Sequence, residues 1–470
     1  MSLAPSLSEQ AAQWASALTL EAVPASVRER ARALMLDALG IGLASSRYPF
    51  ARQTLDALDA LNGPGAQPGD GAVPVLGLGR GLGLRDAALL NGLLIHGLDY
   101  DDTHPRGVVH ATTSVLPAAL AVAARQDASG AALLLAYVAG MELTTRLGVA
   151  AGGAFHQAGF HPTGLLGTFG AALAASRLLG QTPRQAAQAQ GIALSLASGN
   201  LEFLQDGSGT KRLHPGWAAA SGISAAYFAA HGMSGPRAAY EGRYGLYASH
   251  LSAPAALEGI TATLGRDWEI PQVAVKPMPA CHFTHAAADA AAALHAQWDG
   301  SPVRRIRALL PAPALPVVCE PVEQKRAPQN AYESQFSIPY SVATGLRLGR
   351  FGLEALEPEA YTHEATLALA RLVSCEADPD ADFPRHYSGE VIVELQDGRV
   401  LRHREAVNRG GEGRPVTQAE IEAKFFDNAT RAVPRAHAQR IRDAVLDMET
   451  LASARTLASL LGEHFPGHAA

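Results

Sequence analysis

A chain of 470 residues with 48% hydrophobic side chains has ample material for a large core and exceeds what one core usually holds, so two domains or one elaborated domain are expected. A net charge of −6, from 38 basic and 44 acidic residues, argues against a nucleic-acid surface. The three cysteines, Cys281, Cys319 and Cys375, share no C-x-x-C spacing, which signals neither a disulfide framework nor a cysteine metal site and disfavours an iron–sulfur cluster.

The first residues, MSLAPSLSEQAAQWASAL, have no basic start and carry Glu9 and Gln10 before any apolar run, unlike a signal peptide. No stretch of about twenty uninterrupted apolar residues is present, so no membrane span is read. The expectation is a soluble, cytoplasmic protein.

Residues 6 to 46 predict two helices. In the second, Ser26 and Glu29 form an S-x-x-E capping box, and Val27, Ala31, Leu34, Ala38 and Ile41 keep helical spacing. NGPGAQPGDG at 62–71 reads as a loop, and Val73 to Leu78 as a short strand. The glycines at 77, 79, 81 and 83 do not give G-x-G-x-x-G, so this is a turn before a helix at 84–98 rather than a dinucleotide loop. From 115 to 265, helix follows helix, rich in alanine, leucine and small residues, which predicts a dense bundle.

The pattern changes near 270. Gln272–Val275 and Val303–Leu310 read as strands, with a helix between them that Thr284 can cap. EVIVELQDGRVLRHREA at 390–406 alternates around Asp397-Gly398, a hairpin signal. Thr417 and Glu420 open another capping box before a helical tail. The fold class is mainly α: a large helical domain from both chain ends (1–267 and 409–470) with a smaller α+β lid domain, 268–408, inserted between them.

One stretch concentrates chemistry. His96, Asp99, Asp101, Asp102, Thr103, His104 and His110 fall within fifteen residues of a chain that is only 17% charged. Read as helix up to Thr103, positions 96, 99 and 103 share one face, and Pro105 and Gly107 turn His110 back towards it. Acid, hydroxyl and imidazole held together suit proton transfer. A divalent cation is the alternative, without H-E-x-x-H or another sharp spacing to support it; a capped, solvated helix end is the bland one.

The other candidates gain weight only in company. His161 precedes the apolar helix begun by Pro162 and Thr163, where a lone histidine is more often structural. Lys211 and Arg212 lie in a glycine-rich turn before another apolar helix, a natural anion site or simply an exposed loop. Ser208 to Lys211 matches S-x-x-K, but S-D-N and K-T-G are missing. Lys276 follows a predicted strand, with Cys281, His282 and His285 behind it, and could meet a carboxylate. Tyr340 opens an apolar helix as a phenol donor or a core aromatic.

Together, HGLDYDDTH, GFHPTGLLGTFGAA, GTKRLHPGWAAASG with EGRYG, and KPMPACHFTHAAADA with QFSIPYSVA resemble the MmgE/PrpD superfamily, which includes 2-methylcitrate dehydratase, cis-aconitate decarboxylase and iminodisuccinate epimerase. The blocks occur in family order along nearly the whole chain. The resemblance implies a helical domain with an α+β lid, usually a homodimer, acting on a small polycarboxylate with no metal or organic cofactor. It carries catalytic roles onto Asp99, Thr103, His110, His161 and Tyr340, and substrate binding onto Lys211 and Lys276, with His104 and Arg212 beside them. Two departures stand out: Thr103 meets His104 directly where the dehydratase and decarboxylase place a tryptophan, with HATTS in place of their HPS, and Cys281 replaces a histidine of the decarboxylase.

The chemistry implied is proton movement next to a carboxylate, with His110 moving the proton, a partner such as Asp99 fixing its tautomer, and Lys211 and Lys276 facing the same cavity. A hydro-lyase of the 2-methylcitrate dehydratase type is the first expectation, with an epimerase or a cis-aconitate-type decarboxylase as the alternatives. From other classes, a metal-dependent hydrolase or a catalytically silent binding protein remains.

Overall fold

The computed structural model describes residues 4–62, 71–383, 385–411 and 413–466, so residues 63–70 of the expected loop lie outside the described residues. The chain is mainly helical and divides into two compact units, 1–275 with 417–470, and 276–416.

The first unit is helical. Its first eleven helices are α1 (Leu7–Ala17), α2 (Ala25–Ser45), α3 (Pro49–Asn62), α4 (Leu84–His96), α5 (Thr112–Gln126), α6 (Gly130–Ala151), α7 (Ala154–Gln157), α8 (Pro162–Leu178), α9 (Pro183–Leu194), α10 (Phe203–Asp206) and α11 (Leu213–Ala230). At its centre α8 packs against α5, α6 and α11, and α11 also against α4. Small residues permit this. A Cβ on Gly216 would come within 2.0 Å of the Leu89 carbonyl oxygen, and one on Gly140 within 2.8 Å of that of Gly170. These helices cross almost backbone to backbone, burying Pro162–Ser176 along α8. Helix α6 is long and apolar enough to cross a membrane, but 89% of its most apolar window is buried inside the protein, as a core helix would be. From the chain's end, Gln418–Ala429 packs on α2, opened by the expected Thr417–Glu420 capping box.

Three local expectations are corrected here. Helix α2 starts at Ala25 behind Pro24, which puts Ser26 inside the first turn, and no side chain caps it. Val73–Leu78 yields only a two-residue strand β1 (Val73–Pro74), paired antiparallel with β2 (Gly81–Leu82). Gln272–Val275 is no strand: a 3-10 turn, Ile270–Gln272, precedes a single bridge in which Thr103 and Ala274 exchange two backbone hydrogen bonds of 2.8 Å. Residues 268–275 belong to the helical unit because its groups hold them. The buried Glu142 carboxylate accepts the N–H groups of Glu269 and Ile270, and Arg146 Nε holds that carboxylate from one turn along α6.

The second unit is α+β. Strand β3 (Val303–Leu310) pairs parallel with β4 (Val373–Ala377) and antiparallel with β5 (Gly389–Leu395), which pairs with β6 (Val400–Glu405), giving the order β4-β3-β5-β6. Period-2 alternation sets the faces. Ile306, Ala308 and Leu310 on β3 and Val391, Val393 and Leu395 on β5 are buried beneath the helix His285–His295, which in turn meets Ile338–Leu348. The β5–β6 connection turns at Gly398, where φ is 92°, a left-handed conformation glycine adopts without strain. Thr284 sits at the cap position of its helix, yet its hydroxyl donates to the Cys281 carbonyl and caps nothing. Cys281, Cys319 and Cys375 form no disulfide among the described residues.

Candidate active site

The Asp-rich stretch is not helical where helix was expected. Helix α4 ends at His96, and Asp99 takes a left-handed conformation with φ 50°, so His96, Asp99 and Thr103 do not share a helix face. Residues 97–111 instead form an irregular loop that turns each polar side chain to a different partner. Its far end is fixed by backbone contacts: His110 N–H donates to Thr163 Oγ1 at 3.1 Å, and Thr113 Oγ1 donates to the His110 carbonyl at 2.7 Å.

The partner of His110 is Asp101, not Asp99 as the sequence suggested. Asp101 Oδ2 lies 3.0 Å from His110 Nδ1 and 2.9 Å from His96 Nδ1. A carboxylate only accepts, so His96 donates its Nδ1–H to Asp101, while the Nδ1–H of His110 is directed to the Asp102 carbonyl with the Asp101 carboxylate in ion-pair contact beside it. The Asp102 carbonyl, 2.7 Å from the His110 nitrogen, can only accept and so fixes this tautomer; Thr103 Oγ1, at 3.2 Å, suits either. Nε2 of His110 is then the nitrogen with a lone pair. Burial alone would raise Asp101, but the charges and hydrogen bonds of His96 and His110 hold its carboxyl well below the ordinary range. Burial lowers His96 to about 4 against the pull of Asp101, so it is neutral near pH 7.

Asp99 serves another residue. Lys211 Nζ donates to Asp99 Oδ1 at 2.7 Å, with both side chains largely buried. Lys211 comes from the 3-10 turn Gly209–Arg212 that leads into α11. His161, at the start of α8, lies between the two pairs: its ring centroid is 5.8 Å from that of His96 and 6.4 Å from that of His110, and its Nδ1 is 2.9 Å from His214 Nδ1. Burial, then the charges of His96 and Lys211, hold His161 well below the usual imidazole range. Segments fifty and a hundred residues apart thus converge on one cluster. Within it, His110 keeps 14% of its side chain exposed and Lys211 11%, against 0% for His96 and Asp101, so the first two are the groups a ligand can reach.

Other expected site residues have different employment. His104 is fully buried and accepts the Gly107 N–H at Nδ1, which leaves Nε2–H to donate to Glu269 at 3.0 Å. Both ring nitrogens are committed, so His104 closes the loop instead of binding substrate. Arg212 Nε donates to the Gly97 carbonyl at 2.8 Å and its guanidinium stacks over Phe50, an anchor for the end of α4. Lys276 and Tyr340 belong to the second unit; Lys276 is buried, and the Tyr340 hydroxyl donates to the Ala355 carbonyl at 2.7 Å, the position of a core aromatic.

Asp102 is pushed up to about 7 by burial, against the hydrogen bond from the Thr112 hydroxyl, which in turn lies 2.7 Å from the Tyr137 hydroxyl. No local pattern signals the parts played by His214, Glu269 or the Asp102 carbonyl. Two clefts of 310 and 330 Å³ in this unit contain none of the cluster's side chains.

His96, Asp101 and His110 also offer ligand atoms within 4.8 Å of one another, a set that a divalent ion could use. The 2.9 Å separation of His96 and Asp101 is that of an N–H···O bond, and His110 directs its Nδ1–H to the Asp102 carbonyl at 2.7 Å, so protons alone account for the arrangement.

An imidazole held by a backbone carbonyl next to a buried carboxylate, with a lysine ion pair and the His161 imidazole close by, is an arrangement suited to moving protons. Residues 9–257 match the MmgE/PrpD N-terminal domain and residues 278–450 the MmgE/PrpD C-terminal domain, and the chain belongs to this family. It is 29% identical over 470 residues to the cis-aconitate decarboxylase-like protein oryM of Aspergillus oryzae, covering 95% of each chain. It is 27% identical to a cis-aconitate decarboxylase of Aspergillus terreus, covering 95% of this chain and 94% of that one. The human cis-aconitate decarboxylase is 30% identical over 392 residues, 80% of this chain and 79% of its own.

Proposed function

We propose that the protein is a cofactor-independent lyase that releases carbon dioxide from a small unsaturated polycarboxylate of the cis-aconitate kind. The names of its relatives favour decarboxylation over the dehydration first expected from the sequence. In such a reaction the bond to one carboxylate breaks and carbon dioxide leaves. The freed electron pair shifts through the neighbouring double bond to a carbon beside a second carboxylate, and that carbon takes up a proton.

His110 supplies this proton from Nε2. The Asp102 carbonyl holds its other nitrogen, and the buried Asp101 carboxylate beside it stabilises the imidazolium before the proton is given up. Lys211 offsets the negative charge that grows on the second carboxylate, in surroundings dry enough to strengthen the effect. His161, neutral and adjacent, is the second proton-handling group. The observation that carries this reading is the 3.0 Å contact between the buried Asp101 carboxylate and an imidazole that is still partly exposed.

A homodimer belongs to the same reading, supported by Leu213, Trp217 and Phe228, which leave an exposed apolar stripe along α11. The test of the chemistry is incubation with cis-aconitate, 2-methylcitrate and iminodisuccinate in deuterated water, followed by NMR. Carbon dioxide release with deuterium at the new C–H position supports the proposal. Loss of water alone, or deuterium exchange with no net loss, replaces it with a hydro-lyase or an epimerase.

A further inference from the structure

We infer that His96 is a positioning residue for His110: it shares the Asp101 carboxylate and so sets how much of that charge the reacting imidazole receives. The inference rests on the reading of His110 given above. His96 closes α4, is wholly buried, and donates Nδ1–H to the oxygen that also faces His110 Nδ1. The other oxygen of Asp101, Oδ1, is buried with no hydrogen-bond partner among the described residues, as is His96 Nε2. Asp101 Oδ2 thus takes one hydrogen bond, from His96, and lies 3.0 Å from His110 Nδ1, whose own N–H is directed to the Asp102 carbonyl, so the reacting imidazole feels the carboxylate as a neighbouring charge that His96 partly occupies. The rings of His96 and His110 are 5.0 Å apart, so neither can take more of the carboxylate without the other losing some.

The geometry explains why the buried carboxylate beside the reacting imidazole has a donor of its own. A lone aspartate at 0% exposure beside one imidazole would draw a proton onto it and hold it there, and a histidine that cannot release its proton is a poor acid or base. A neutral second imidazole donating to the same oxygen weakens that hold without adding charge. Within the helical unit, the titratable and charged groups around the pair are Asp99, Asp101 and Asp102 from the loop, His161 from α8 with His214 of α11 against it, and Lys211 from the turn before α11. From α2, Asp37, paired with Lys424, bears on Asp101, and Arg30 bears on Asp102.

The test compares Asp101→Asn, His96→Leu and His96→Asn. Asparagine can place its Nδ2–H₂ roughly where histidine has Nδ1–H; leucine cannot donate. Two readouts are used: the kcat/KM–pH profile, and the ¹⁵N shifts of the His110 ring in histidine-labelled protein, which report tautomer and protonation without turnover. In His96→Leu the His110 limb of the profile and the ring titration both move to higher pH. In Asp101→Asn both move to lower pH, with kcat down by about 10²–10⁴-fold as the imidazolium loses its counter-charge. His96→Asn stays close to wild type. Opposite shifts with asparagine rescue are what a merely structural role does not produce. Shifts in one direction, no shift at all, or leucine and asparagine behaving alike overturn the inference; melting curves establish that each variant is folded. If the ring shifts appear while His110→Ala retains full turnover, it is the functional reading that fails and the shared carboxylate that stands.

Discussion

Lys211 Nζ donates to Asp99 Oδ1 at 2.7 Å across 112 residues of sequence, and the pair is largely buried. A buried ion pair is costly to half-remove, because the remaining charge has no partner and no water. Lys211→Met should therefore reduce kcat/KM by about 10–10²-fold, the range for losing a charged hydrogen bond to a carboxylate. The same substitution should lower the melting temperature, and adding Asp99→Asn to it should restore stability but not activity. Steady-state kinetics and calorimetry on the single and double variants check both halves.

His104 and Glu269 give a prediction about stability instead. Burial works to raise Glu269, but the hydrogen bond and charge of His104, with Arg106 beyond, bring it down from 4.5 to about 2. A carboxylate depressed by folding adds stability that is complete above its unfolded value and is lost as pH falls towards its folded one. The stability difference between wild type and Glu269→Gln should thus shrink as pH drops from about 4.5 to about 2. Denaturant unfolding across that window measures it. His104→Ala should destabilise by about 1–3 kcal/mol at neutral pH with KM little changed, because its ring nitrogens serve the loop.

The crossing of α4 and α11 depends on glycine. Gly216→Ala places a methyl group 2.0 Å from the Leu89 carbonyl oxygen, so one helix has to move. Overpacking of this kind costs about 1–3 kcal/mol. Since α11 follows the turn that carries Lys211, kcat/KM should fall as well. Thermal melts and kinetics on this one variant test whether bundle packing sets the site's geometry.

The His96, Asp101 and His110 set invites a chelator experiment. If protons hold it together, dialysis against EDTA leaves kcat unchanged and added zinc or manganese gives no rise. Activity lost to the chelator and restored by one of these ions would move the protein to the metal-dependent class.

Much of this was legible in the sequence, and the exceptions have physical reasons. Val303–Leu310 and the hairpin around Asp397-Gly398 were readable because strand alternation and turn chemistry are local signals. So was the close-packed bundle, written in its small residues. The Asp-rich stretch was identified as the chemical centre, but its partners were assigned by helical spacing, and the left-handed Asp99 breaks that spacing. Once the loop is irregular, one residue decides which carboxylate meets which base: Asp101 goes to His110 and Asp99 to Lys211. The pairing of His161 with His214 and the anchoring of Arg212 on Gly97 depend on tertiary contacts between distant segments, which no local pattern encodes.

The account depends most directly on His110. The decisive measurement is kcat of His110→Ala against wild type on whichever polycarboxylate the deuterium experiment identifies, with melting temperature as the control for folding. The account predicts a folded variant whose kcat is lower by about 10²–10⁴-fold. A folded variant turning over at the wild-type rate would contradict it.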